Sequence, residues 1–247
     1  PIAIAQYGLG NYNLYLDTNE IENLNKFYAV ADWLTESLKP NQKDIYVWNH
    51  YFDFEYRDAL KSPWYSGLAQ GLGLSVLARA YQESNEQKYL ETHKKAWISM
   101  TKKIDEGGVI DIDKDGNYWI EEYIVNPPTH ILNGFIWALW GVYDTWKFLE
   151  IKLAEDLLKK CYRTLEINIE KYDNGYWSLY DQAGLPLNNL ASSFYHKLHI
   201  VQLEILSNLS GNHTFQKYAD KWRSCNSSNF HKYRALFNKS VFKILYY

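Results

Sequence analysis

"NPPTHILNGF", Asn126 to Phe135, sets two prolines directly ahead of an apolar pattern of helical spacing that runs to about Lys147. Proline has no N–H to give a preceding turn but fits where a helix begins, so a helix opens here. Two other stretches have the same make-up of Pro or Gly, aromatic and hydroxyl or amide groups. They are "SPWYSGLAQG", Ser62 to Gly71, and "NNLASSFYHK", Asn188 to Lys197. The three openings stand roughly 64 residues apart, which suits a repeated pair of helices.

The rest of the chain fills in the pairs. Apolar residues recur at helical spacing over Ile21, Leu24, Tyr28, Ala31 and Leu38, and again over Leu90, His93, Trp97, Met100 and Ile104. Similar patterns cover about 65–83, 129–147, 151–169, 191–208, 214–225 and 233–245, about eight helices in all. Two Gly-rich, alternating segments interrupt them. "GGVIDIDKDGNYWIEEY", Gly107 to Tyr123, turns at Asp115-Gly116, and "YDNGYWSLYD", Tyr172 to Asp181, turns at Asn174-Gly175. In extended geometry Tyr176, Ser178 and Tyr180 would share one face of the second, with Trp177, Leu179 and Asp181 on the other. The expected fold is mainly α: a partial α/α toroid of helix hairpins with short β-hairpins at one end. It would form one domain over 1–247, with an extended lead over 1–20 and an extra helix over 226–247.

Composition narrows the function. The 26 Lys and Arg against 29 Asp and Glu leave a net charge of −3, with no basic field to attract nucleic acid. No apolar run reaches the roughly 18 residues of a membrane span, and no basic start leads into an apolar segment as in a signal peptide. The compartment stays open, with a slight lean to the cytoplasm. Two cysteines, Cys161 and Cys225, make no disulfide framework. Aromatic residues are 17% of the chain, 22 of them tyrosines and 10 tryptophans. Such side chains offer broad apolar faces with a polar edge, suited to stacking on sugars as well as to filling a core.

Trp64-Tyr65, Tyr123 and Phe194-Tyr195-His196 all belong to one end of such a repeat, where a ring of aromatics could line a saccharide groove. "DIDKDGNYWIEE" has the spacing of a calcium loop, with Asp111, Asp113, Asp115 and Glu122 as ligands, but its flanking Gly107-Gly108 and Pro127-Pro128 and its alternation favour a polar hairpin turn. His196 and His199 share a helix face without a matching carboxylate or thiolate, so they suit a polar ligand or core hydrogen bonds better than zinc. No metal and no cofactor is expected.

Five stretches together resemble the D-glucuronyl C5-epimerase family of heparan sulfate biosynthesis. They are "PIAIAQYGLG" at Pro1, "PWYSGLAQG" at Pro63, "EEYIVNPPTHILNGFIWALWGVYD" at Glu121, "YDNGYWSLYD" at Tyr172 and "FYHKLHIVQL" at Phe194. The animal enzymes carry an inserted β domain between the first stretch and the "ADWL" segment at Ala31, so this chain resembles their helical catalytic domain. The resemblance implies Tyr123, Tyr180 and Tyr195 as catalytic tyrosines, with Glu122 beside the first. Gln6, Tyr7, Arg57, Trp64, Tyr65, Gln70, Asn133, Tyr176, His196, Lys197 and His199 are the expected substrate-binding residues. It also implies an arginine three residues after the second tyrosine. Ala183 stands there instead, and Arg57, Lys197, His196 and His199 are the cations expected to supply its charge.

The implied activity inverts C5 of D-glucuronate residues in a polysaccharide, giving L-iduronate. A tyrosine, with an ordinary pKa of about 10, is closer than a carboxylate to the weakly acidic C5–H, and its neutral form can return a proton. A polysaccharide lyase, an α/α-toroid glycoside hydrolase using Glu122 with Asp181, and a non-catalytic saccharide-binding domain remain as alternatives. The partner is a uronate-containing polysaccharide, and the oligomeric state stays open between monomer and homodimer.

Overall fold

The computed structural model describes residues 1–246. The chain opens with a hairpin of α1, Ile2–Thr18, and α2, Ile21–Ser37. Residues 1–20 are therefore not an extended lead. Gly8 and Gly10 weaken the helical signal, but Gly8 lets α2 approach closely: a Cβ there would lie 2.7 Å from Val30 Cγ1. Ala5, Gly8 and Tyr12 form the buried face of α1.

A run of two-residue strands follows. β1, Lys39–Pro40, pairs with β2, Tyr46–Val47; β3, Asn49–His50, pairs across the run with β6, Trp64–Tyr65; between them β4, Phe54–Glu55, pairs with β5, Ala59–Leu60. Then come α3, Gly67–Ser84, and α4, Gln87–Trp97. The pattern read as continuous from Leu90 to Ile104 breaks after Trp97 into two short 3₁₀ turns, the second closed by Gly107 at φ 90°. β7, Ile110–Ile112, and β8, Tyr118–Ile120, form the hairpin around Asp115-Gly116. The remaining helices are α5, Leu132–Leu149, α6, Lys152–Asn168, α7, Ser193–Ser210, α8, His213–Ser227, and α9, Asn229–Tyr246.

α1 packs on α3, α3 on α5 and α5 on α7, while α2, α4, α6 and α8 each back the helix before them. The four inner helices all line one central groove of about 460 Å³, through Gln6, Leu72, Trp137, Ile205 and their neighbours. This is a partial α/α toroid. Its tightest crossing is α3 on α5, where Gly71 and Gly141 meet backbone to backbone. At mid-helix the Arg79 guanidinium forks onto Asp144 at 3.0 and 3.1 Å, and Ser75 also donates to that buried carboxylate.

The ends of α3, α5 and α7 at which they begin are tied to the irregular segments. Ser66 caps α3 by accepting from Ala69 N, and Ser192 caps α7 by accepting from Tyr195 N. Gly67 N donates to Glu121 O at 2.8 Å, and Leu132 N donates to Tyr180 O at 3.1 Å. The turn at Asn174-Gly175 is present, with Gly175 at φ 81° and an isolated bridge between Asp173 and Ser178. The expected two-faced alternation is not kept, because α7 covers residues of both sets. The Trp177 ring stacks on His196 at 3.7 Å, while Ser178 hydrogen-bonds the same imidazole at 2.8 Å.

Candidate active site

Tyr123, Tyr180 and Tyr195 converge where α3, α5 and α7 begin. Tyr123 follows β8, and its ring sits among Phe54 at 5.2 Å, Tyr56 at 4.8 Å and Trp64 at 5.9 Å. Tyr180 is fixed through its backbone, donating to Asn189 O at 2.7 Å while its carbonyl accepts from the first turn of α5. Tyr195 lies in the first turn of α7, its ring in edge contact with Tyr180 at 5.0 Å and 62°. The Tyr56 hydroxyl donates to Asp181 Oδ2 at 2.5 Å, and Asn189 Nδ2 donates to the same oxygen at 2.6 Å. A short run of polar contacts thus joins the Tyr123 box to the segment that carries Tyr180.

The electrostatics follow from burial. Tyr180 holds its proton well above the ordinary phenol range, first because it is desolvated and then because Glu122, Tyr123, Tyr195 and Tyr56 would all repel a phenolate. Tyr195, half-buried, is raised for the same first reason, partly offset by a hydrogen bond from Tyr180. Glu122 is wholly enclosed, and burial lifts its carboxyl from 4.5 to about 7, against the opposing pull of a hydrogen bond with Tyr123. The enclosure comes from α5: a Cβ at Gly134 would fall on the Glu122 carboxylate. A carboxyl half-ionised near neutral pH and bonded to a phenol can exchange a proton with it.

The other expected residues divide. Trp64 backs Tyr123, stacks on His50 at 4.0 Å and donates from its indole to Phe52 O. Tyr65 is half-buried with its hydroxyl near Gly108 O. Asn133 is buried in the first turn of α5, and its Oδ1 finds no hydrogen-bond partner. Gln70 is spent inside the protein, accepting from Trp48 N and donating to Trp48 O and Ser66 O. Tyr176 is buried, its hydroxyl accepting from Asn238 and its face covered by Arg234. Gln6 lines the central groove, where none of the three tyrosines reaches, and Tyr7 is exposed on α1.

The expected cations also separate. His196 and His199 are fully buried, both bonded to Ser178 Oγ, with His196 Nε2 against Trp222 O. Burial pushes them down to about 4 and about 3, so they are neutral packing residues and not the missing charge. Lys197 is exposed on α7. Arg57 does come to the expected place, donating from Nη1 to the Ala183 carbonyl at 2.7 Å. The residues absent from the sequence reading are Tyr56, Asn189 and Lys239. Lys239, on α9, donates to Asn189 Oδ1 at 2.5 Å and stands 5.6 Å from the centre of the Tyr180 ring.

The calcium spacing does not form a loop of converging ligands. In the β7–β8 hairpin the Asp113 carboxylate accepts from Asp115 N, Asn117 and the Trp119 indole, and Glu122 turns into the tyrosine cluster. Among the described residues, Asp111, Glu121 and His130 are the group whose ligand atoms gather, within 4.8 Å. They flank an imidazole at both nitrogens: Glu121 Oε1 is 2.5 Å from Nδ1, and Asp111 Oδ2 is 4.0 Å from Nε2. The second Glu121 oxygen accepts from Thr129 N and His130 N. That set pins His130, which sits at φ 48°, in the loop ahead of α5.

The fold and the family are shared with known proteins. Solved structures of similar fold include a Clostridium acetobutylicum glycoside hydrolase of family 105, with a TM-score of 0.55 at 13% identity, covering 88% of this chain and 61% of that one. A GH76A α-1,6-mannanase from Salegentibacter gives 0.58 at 14% identity, covering 90% and 59%. At these identities the likeness is one of fold. A D-glucuronyl C5-epimerase from Caenorhabditis elegans is 33% identical over 214 residues, covering 79% of this chain and 34% of its own length. An uncharacterised Methanocaldococcus jannaschii protein is 29% identical over 201 residues, covering 79% and 64%. The chain thus spans about a third of the first relative and just under two thirds of the second. The family model described as D-glucuronyl C5-epimerase C-terminus matches residues 42–224, and the chain belongs to that family.

Proposed function

We propose that this chain is a uronate C5-epimerase, acting on D-glucuronate residues of a polysaccharide through tyrosine-based removal and return of the C5 proton. The observation that carries the reading is the meeting of Tyr123, Tyr180 and Tyr195, partly buried, with enclosed Glu122 in one cluster on three separate elements, within a chain of this family.

Inversion needs proton-transfer groups on two faces of the sugar ring. Tyr180 and Tyr195 are in edge contact and hydrogen-bonded, too close to admit a pyranose between them. The two sides are therefore Tyr123 with Glu122, and Tyr180 with Tyr195. For the D-glucuronate direction, Tyr123 first loses its proton to ionised Glu122, and its phenolate then takes the C5 proton. The C5–H electron pair moves into the carboxylate as an enediolate. Tyr180, held neutral by burial, delivers its phenolic proton to the opposite face of C5. After product release Glu122 gives its proton to solvent and the Tyr180 phenolate takes one up, which restores the starting state. Trp64 and Phe54 give the Tyr123 side an apolar wall of the kind sugar faces pack on.

Incubation with a polymer of alternating glucuronate and N-acetylglucosamine tests this. Proton NMR should show L-iduronate signals with chain length unchanged. A product absorbing in the ultraviolet would identify a lyase, and new reducing ends would identify a hydrolase.

A further inference from the structure

An enediolate forming at C6 needs a cation or strong donors facing it, and with Ala183 in the chain the expected arginine cannot provide them. We propose that Lys239, carried on α9, is the residue that receives the uronate carboxylate, with Arg57 in the recess beside it. The inference rests on reading the site as a uronate site, and Lys239 lies outside residues 42–224 of the family match.

The geometry is specific. α9 lays Lys239, Phe242 and Tyr246 along the segment 181–189. Phe242 and Tyr246 form one wall of a recess of about 210 Å³ whose other walls include Tyr56, Arg57, Asp181, Ala183 and Asn189. That volume is on the scale of one sugar residue. The Lys239 ammonium stands between the Tyr180 ring at 5.6 Å and the Phe242 ring at 5.5 Å, and its hydrogen bond goes to the neutral amide of Asn189. An ammonium has three protons to donate. The adjacent carboxylate does not take them: Asp181 Oδ2 accepts from Tyr56 and Asn189, and Oδ1 accepts from Ala183 N at 3.1 Å. A largely desolvated cation held by an amide, next to a carboxylate already committed elsewhere, is an arrangement that an incoming carboxylate completes. Burial accordingly lowers the Lys239 pKa to about 8, with Asp181 opposing and Lys243 assisting. Asn238, the preceding residue, donates to Tyr176 and Arg234, one turn earlier, covers the same ring, so α9 is anchored on the tyrosine-bearing segment by its polar residues.

The test is calorimetric titration of the protein with a tetrasaccharide of alternating glucuronate and N-acetylglucosamine, and with its carboxyl-reduced counterpart. K239M should bind the acid form about 10- to 100-fold more weakly, the loss of one charge-assisted contact. It should bind the reduced form as the wild type does, and K239R should restore most of the affinity for the acid form. If K239M does not fold, K239Q serves in its place. Unchanged affinity for the acid form, or equal losses for acid and reduced forms, overturns the assignment. The same samples in heavy water separate the two claims: binding that depends on Lys239 without exchange at C5 sinks the epimerase reading alone. Exchange that K239M leaves unchanged sinks the role of Lys239 alone, and absence of both binding and exchange sinks both.

Discussion

Replacing Glu122 by Gln should make the protein more stable at pH 8 and leave it unchanged at pH 4.5. In the folded protein the Glu122 carboxyl keeps its proton up to about 7, against 4.5 in its ordinary state, because it is enclosed by α5 and the tyrosines. Between those values the folded chain holds a proton that the unfolded chain has released. Stability therefore falls as pH rises through that window and is level above it. At 1.36 kcal/mol per pH unit the gap is worth about 3 kcal/mol at pH 8. Glutamine matches the shape of the protonated acid and does not titrate, so the variant escapes this cost. Urea unfolding followed by circular dichroism, on both proteins at several pH values from 4.5 to 8, isolates the difference from every other titrating group. The reasoning is refuted if the two curves stay parallel across the window, or if wild type is the more stable at pH 8.

Three further substitutions probe the frame and the site. Gly141→Ala would drive a Cβ into the Gly71 carbonyl at the α3–α5 crossing, and should cost about 3 kcal/mol or more, read as a fall in Tm. Gly10→Ala, on α1 with open space around it, should instead be neutral or stabilising by up to about 1 kcal/mol. Tyr56→Phe removes the 2.5 Å hydrogen bond to buried Asp181. It should destabilise by about 1–3 kcal/mol in chemical unfolding, and equal stability would contradict this, showing that the Asn189 amide alone satisfies that oxygen.

The fold was legible where punctuation and period agreed. Ser66 and Ser192 mark the starts of α3 and α7, because a serine hydroxyl caps locally, while Pro63 and Pro127-Pro128 lie four or five residues ahead of α3 and α5, in the segments that lead into them. The helix of residues 2–18 was not legible, since its glycines serve a close approach to α2 that only tertiary packing reveals. The three tyrosines were found by resemblance, while Asn189 and Lys239 were not. Asn189 does much of its work through backbone, and Lys239 on α9 has the exposed look of any helical lysine until the helix is laid against Tyr180. The histidines failed as cations for a physical reason: the spacing that puts His196 and His199 on one helix face also buries both against Ser178 and Trp222.

The central claim is proton exchange at C5, and heavy water tests it most directly. Wild-type protein incubated with the glucuronate polymer in D2O should exchange hydrogen at C5, seen as loss of the H5 signal and a mass increase per uronate. Tyr180→Phe, with an unchanged circular dichroism spectrum, should abolish formation of L-iduronate, leaving at most exchange with retention through Tyr123. An absence of deuterium at C5 with wild type would contradict the account, as would L-iduronate formed at the same rate in the Tyr180 variant.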